Sequence, residues 1–156
     1  MADYEVKLFE PQDVLLVLTM GQFFHGESPV YSRLTYNRDS ARAWLLSYTD
    51  PYARHKRCGW TVSKDGVLAG GLMAQIGEKP WCDGKVSCDE ILYLAPSHRG
   101  TGAADALISA YVEWAKQNGV KLITMASSCD VNQDRAAGCY AKNGFVQIGT
   151  EVMYEG

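Results

Sequence analysis

Apolar and polar positions alternate from Tyr4 to Phe9, which predicts a short strand, and the turn residues Glu10, Pro11, Gln12 and Asp13 open a helix over Val14 to Phe24. That helix is apolar on more than one side, so it is expected to be largely covered by a sheet. Gly26 to Arg38 mixes Gly26, Ser28, Pro29 and Asn37 with aromatic residues. The segment is too irregular for one element and too apolar for a linker, and it reads as a loop over a pocket. Asp39 or Ser40 then caps a second short helix whose buried side carries Ala43, Trp44, Leu45, Leu46 and Tyr48, before Asp50-Pro51 stops it.

Two strands follow, Cys58 to Ser63 and Val67 to Ile76, joined through Lys64-Asp65-Gly66, where Asp-Gly is a strong hairpin signal. A reversal through Gly77 to Gly84 leads to a strand ending at Ala95. A helix from Gly102 to Asn118, closed by Gly119, then carries the chain to a strand at Lys121 to Ala126. A strand-helix-strand crossover implies a parallel pair at this end of an otherwise antiparallel sheet. Asn132 or Gln133 begins a last helix that ends at Gly144, and Phe145 to Tyr154 reads as a closing hairpin about Gly149. The order predicts one domain over residues 1–156, of the α/β (α+β) class, with a mixed, mostly antiparallel sheet flanked by helices.

Composition narrows the function classes. The chain of 156 residues is 47% hydrophobic and 21% charged, enough for a single core. A net charge of -3 with no long polybasic stretch argues against nucleic acid as a partner. Acidic residues interrupt the first residues, and the apolar run Val14 to Leu18 is too short to span a bilayer, so neither signal peptide nor membrane anchor is expected. Cys58, Cys82, Cys88, Cys129 and Cys139 form no C-x-x-C pair, which fits free thiols in a reducing, cytoplasmic compartment and no zinc site or other metal.

The chemistry concentrates in Glu90 to Leu107, where the apolar run Ile91 to Ala95 meets Pro96, an Arg-Gly-Thr-Gly turn and the start of a helix. Unpaired N–H groups at such a helix start, with the positive end of the dipole behind them, bind a pyrophosphate without side chains. A P-loop is excluded because no Gly-Lys-Ser or Gly-Lys-Thr occurs, and a dinucleotide fingerprint fails at Asp105, where its third glycine belongs. What remains is R-x-x-G-x-A, Arg99 to Ala104, after L-Y-L-A-P.

This loop resembles the coenzyme A loop of the GNAT acyltransferase superfamily. Ala136 to Phe145, AAGCYAKNGF, is similar to the family's A-x-x-x-Y-x-K-x-G-F, and the predicted element order is the family's over essentially the whole chain. The resemblance implies an acetyl-CoA-dependent N-acetyltransferase, with a splayed parallel strand pair at the cofactor site. Arg99, Gly100, Thr101, Gly102, Ala103 and Ala104 would bind the pyrophosphate, and the backbone of Leu92, Tyr93 and Leu94 the pantetheine arm. Tyr140 stands where the family has the tyrosine facing the thioester sulfur. Gln133 stands where the family often has an asparagine, with Asn132 one position early.

Transfer to an amine needs a proton acceptor, because an alkylamine of pKa about 10.4 is mostly protonated at neutral pH. Asp89 and Glu90 start the central strand and should point to opposite faces, which favours Glu90 as the general base. Tyr140 is the candidate acid for the departing thiolate. The acceptor would be a small-molecule or protein amine. Phe24, Glu27, Tyr31, Tyr36 and Trp44 could seat a cation, and Arg33 and Arg38 a carboxylate. The resemblance also leaves room for a homodimer. A second reading is a GNAT-fold protein without turnover that binds coenzyme A or a partner, including a host protein, since Gly26 to Tyr31 is similar to a segment of phage-encoded members.

Overall fold

Asp65 and Gly66 both take positive φ, 52° and 76°, the backbone that a two-residue type I′ turn requires. They join β2 (Arg57–Lys64) to β3 (Val67–Glu78), with Lys64 opposite Val67. In this computed structural model, which describes residues 3–127 and 131–156, the hairpin is the middle of a five-stranded sheet. β1 (Glu5–Leu8) pairs antiparallel with β2, β4 (Lys85–Leu94) pairs antiparallel with β3, and β5 (Val120–Thr124) lies parallel to β4 at the edge. The helices are α1 (Val14–Glu27), α2 (Arg38–Leu46), α3 (Ala103–Gln117) and α4 (Gln133–Lys142).

Strand alternation divides the core in two. Leu72 and Ala74 of β3 face α3, where Trp60, Leu107, Tyr111 and Trp114 complete the cluster, and the Trp60 and Trp114 rings meet edge-on at 5.5 Å. Met73, between them in sequence, faces the other side and packs with Phe9, Val14, Leu18, Leu45 and Tyr48 beneath α1 and α2. The sheet therefore separates an α3 layer from an α1–α2 layer, and the functional cleft opens at the strand ends between them.

Three expectations are corrected. Helix α2 is capped by Asn37, whose Oδ1 accepts the Ser40 N–H at 2.9 Å, so Asp39 and Ser40 lie inside the first turn. Helix α1 is not largely covered: Val14 and Leu18 are buried, while Leu15 and Phe23 are 68% and 69% exposed. Its apolar surplus exceeds what one sheet face can cover. Finally, Phe145 to Tyr154 forms no hairpin, and residues 145–156 contain no strand. The segment carries apolar residues at Val146, Ile148 and Val152, but a ladder also needs a partner edge, and this segment takes none.

Candidate active site

Strands β4 and β5 pair from Lys85 opposite Val120 to Cys88 opposite Thr124, with a shift of register after Lys85, and beyond that point β4 runs on without β5. A closed set of hydrogen bonds pins the pair just before it parts. Tyr111 donates to the Thr124 carbonyl at 2.8 Å, its oxygen lies 2.8 Å from Ser87 Oγ, and Thr124 Oγ1 donates to the Ser87 carbonyl at 2.7 Å. One more bond crosses the opening, from the Ala126 N–H to Asp89 Oδ1 at 2.8 Å. The β5 side of β4 thus carries no strand at Leu92 to Leu94, where the Leu94 carbonyl is taken by the Arg99 side chain, and the stretch is available to an extended ligand that adds as a strand.

The two carboxylates at the head of this opening are separated by a bulge. Met73 pairs with Ile91 and Ala74 with Asp89, so Glu90 is the extra residue. Asp89 turns inward, 8% exposed, and burial pushes its carboxyl up to about 6 from an ordinary 3.8, against the opposing hydrogen bond from Ala126. Glu90 is exposed, and both residues line the cleft. Sequence alternation treats the two as mirror alternatives. The bulge instead makes one a buried strut between β4 and β5 and leaves the other as the accessible carboxylate.

In the phosphate loop, a 3-10 turn at Pro96–His98 leads into Gly100 and Gly102, with φ of 76° and 95°, and Gly102 is the N-cap of α3. A Cβ built at either glycine meets nothing within 4 Å. The space before the first turn of α3 is therefore open, the N–H groups of that turn have no partner within the helix, and the residues present fit a pyrophosphate. Gly100, Gly102 and Ala104 line the cleft. Ala103 is wholly buried in the core and Thr101 bonds Tyr4 at 2.7 Å, and neither lines the cleft.

The Arg99 side chain points elsewhere than the loop's N–H groups. Its Nη1 and Nη2 reach the two oxygens of Glu27 at 2.8 and 2.9 Å, and its Nε donates to the Leu94 carbonyl at 3.0 Å. Tyr93 donates to the same Glu27 at 3.1 Å. The guanidinium holds Glu27 below the usual carboxylate range, and the trio ties the end of α1 to the end of β4. Sequence reading placed Glu27 in the acceptor region and Arg99 on the phosphates. Their pairing across 72 positions leaves no local signal.

Helix α4 forms the far wall. Tyr140 donates to the Ala126 carbonyl at 3.0 Å, so Ala126 links the buried Asp89 through its N–H to the phenol through its C=O. Gln133 donates to the Ser127 carbonyl at 3.0 Å, and it is Asn132, with φ 51°, that lines the cleft. The helix is fastened to α3 by Asp105, which receives Asn143 Nδ2 at 2.7 Å and pairs with Lys142 at 2.6 Å. Gly138 lines the cleft with open space where a side chain would be. Cys129 lies outside the described residues, and Cys58, Cys82, Cys88 and Cys139 are free thiols.

Glu90, the Leu92 to Leu94 stretch, Gly100, Gly102, Ala104 and Tyr140 line one cleft of about 840 Å³, whereas Glu27, Thr101, Ala103 and Gln133 do not. Its second half, under α1 and α2, is walled by Met20, Phe24, Tyr31, Tyr36 and Trp44. Arg33 is turned out to Glu155 at 2.9 Å and Arg38 to Gln22 at 3.0 Å, so neither arginine proposed for a carboxylate lines it.

The sequence matches the family model described as Acetyltransferase (GNAT) family over residues 21–145. Among solved structures, the chain is similar to the aminoglycoside N-acetyltransferase AAC(6')-Iy in complex with a CoA bisubstrate analogue, at 18% identity and TM-score 0.76, covering 99% of both chains. It is also similar to a GCN5-related N-acetyltransferase from Ralstonia eutropha JMP134, at 21% identity and TM-score 0.73, covering 97% of this chain and 98% of that one. An acetyltransferase from Trypanosoma brucei matches at 19% identity and TM-score 0.69, over 98% and 99% of the two chains. No curated protein matches the sequence.

Proposed function

The chain belongs to the acetyltransferase (GNAT) family, with acetyl-CoA as its acyl donor, and from that premise we propose that it acetylates a primary amine of a small molecule by direct attack in a ternary complex. The observation that carries this reading is the convergence on one cleft of the glycine cradle, the open edge of β4, Glu90 and Tyr140. Acetyl-CoA, when bound, would supply the activated thioester. Everything else is the work of the chain's own groups.

Gly100 and Gly102 present the first-turn N–H groups of α3 to the pyrophosphate, and the Leu92 to Leu94 backbone orients the arm as an added strand. Glu90, accessible and without a cation within ion-pair distance among the described residues, takes one proton from the ammonium and passes it to water, which frees the lone pair for attack, and takes the second as the C–N bond forms. Tyr140 gives its proton to the sulfur as the C–S bond breaks. In this structure its O–H is directed at the Ala126 carbonyl. Glu90 returns its proton to water and Tyr140 regains one. Preference for a small-molecule amine is supported by the walls around Glu90 and by relatives such as AAC(6')-Iy, whose bound analogue carries acetylneamine.

The Gly26 to Tyr31 segment has a structural reason of its own. The Ser28 N–H closes α1 on the Phe24 carbonyl at 3.2 Å, and its hydroxyl accepts the Tyr31 N–H at 3.0 Å. The compared structures lend no support to a phage source. No described helix is long and apolar enough to cross a membrane.

The test is release of free thiol from acetyl-CoA across amines, polyamines, amino acids and lysine peptides, with acetyl-CoA binding measured by calorimetry in parallel. Turnover of at least one amine is expected. Tight binding with no thiol release from any of them would leave the chain a coenzyme A binding protein.

A further inference from the structure

The charge balance of the second half of the cleft distinguishes between amines. Its side walls carry the rings of Phe24, Tyr31, Tyr36 and Trp44 and the thioether of Met20, with the His25 ring 5.3 Å from that of Tyr36. Glu27, the nearby carboxylate that sequence reading offered to a cation, is neutralised by Arg99 at 2.8 Å. Asp89 is buried and bonded to Ala126. Asp105, also on the cleft, is paired with Lys142 at the α4 wall, so among the described lining residues Glu90 is left as the accessible carboxylate without an ion-pair partner, at the junction with the thioester half. A polycation such as an aminoglycoside needs several carboxylates to replace the water around its ammonium groups, and an apolar wall offers them nothing. A single ammonium against aromatic faces, followed by an apolar body, meets both features at once.

We propose that the acceptor is a small monoamine with a compact aromatic or apolar body, its nitrogen at Glu90 and its body between Phe24, Tyr36 and Trp44. This rests on the acetyltransferase reading above and names its substrate class. The pocket is held for that task by contacts outside it. The Tyr36 hydroxyl donates to the Leu18 carbonyl at 3.2 Å, which fixes the ring where it lines the cleft, and Trp44 is propped edge-on against Tyr48 at 5.2 Å. Phe24 leans on Tyr93 at 5.0 Å, so the aromatic wall runs continuously into β4.

The experiment compares 2-phenylethylamine with spermidine, tobramycin and a lysine peptide as acceptors at fixed acetyl-CoA. Binding of 2-phenylethylamine to the coenzyme A-loaded protein is followed separately by calorimetry. The expected result is kcat/KM for 2-phenylethylamine at least about tenfold above each of the others. Trp44→Leu and Phe24→Leu, each checked for folding by circular dichroism, should raise its KM or Kd about tenfold while kcat changes less. Preference for tobramycin, spermidine or the peptide would overturn the inference and leave the acetyltransferase reading standing, as would no binding of 2-phenylethylamine or unchanged KM in both leucine variants. Binding of 2-phenylethylamine without thiol release from any amine would support the pocket and overturn the transferase reading instead.

Discussion

Arg99 grips Glu27 with both ends of its guanidinium, at 2.8 and 2.9 Å, and so joins the phosphate loop to the last turn of α1. The side chains of the pair are 14% and 30% exposed, screened from water on most sides.

Arg99→Ala should therefore act mainly on stability. A partly screened bidentate pair contributes about 1–2 kcal/mol, which for a chain of this size corresponds to a fall of roughly 3–6 °C in Tm. Acetyl-CoA affinity should drop only a few-fold. Glu27 has a depressed pKa in the fold, so the stability it contributes is present above its unfolded value and lost as pH falls through the folded one. Melting curves of parent and Glu27→Gln should accordingly differ at neutral pH and converge in acid.

Gly102→Val should abolish acetyl-CoA binding while the protein still folds. Valine at φ 95° is strained by about 1–2 kcal/mol, and its branches would occupy the open space before α3. Calorimetry decides the matter, with circular dichroism as the folding control. A valine variant that binds acetyl-CoA like the parent would remove the glycine cradle from the site.

Tyr140→Phe separates rate from binding. A general acid typically contributes about 10² to 10⁴ in rate, so kcat should fall by that much with the affinity for acetyl-CoA nearly unchanged. The lost bond to Ala126 should cost about 1 kcal/mol of stability. Equal kcat for parent and variant across the pH range would transfer the proton to water or Glu90.

Asp89→Asn probes the buried strut. Because burial raises the Asp89 carboxyl from 3.8 to about 6, the folded protein holds a proton more tightly there than the unfolded chain. Its favourable contribution is present below the unfolded pKa and is lost as pH rises toward 6. Near neutrality the ionised form costs on the order of 3 kcal/mol. Asparagine still accepts the Ala126 N–H and carries no charge. Denaturant midpoints of the variant should be flatter than the parent's between about pH 4 and 6. A parallel decline in both would show that another group titrates there.

What was legible in the sequence was what is local. Asp-Gly marks its hairpin, the apolar period marks α3, and the glycines of the phosphate loop carry the positive φ that only they adopt readily. Glu90 and Tyr140 could be named as candidates from contiguous stretches, the head of a strand and a helix motif, and both line the cleft. The bulge that sets Asp89 apart from Glu90 was not legible, because it depends on the register of β4 against β3 and either strand read alone is regular. Arg99 with Glu27, and Ala126 with Asp89, are bonds between remote segments, and they turn residues assigned to ligands into braces. The tail misled in the opposite way: its alternation is genuine strand pattern, but pattern gives propensity and only a partner edge gives a strand.

The cleft is a single cavity, and this has a thermodynamic consequence. Cofactor wall and acceptor wall share the stretch Asp89 to Leu92, so whatever fills one half becomes a surface of the other. Reciprocity then requires that coenzyme A and the amine alter each other's dissociation constant by the same factor. An amine that binds the bare chain weakly should bind the coenzyme-loaded chain more tightly, and a good acceptor should slow the escape of the donor. Two titrations, each ligand in the presence and absence of the other, close that cycle without any turnover.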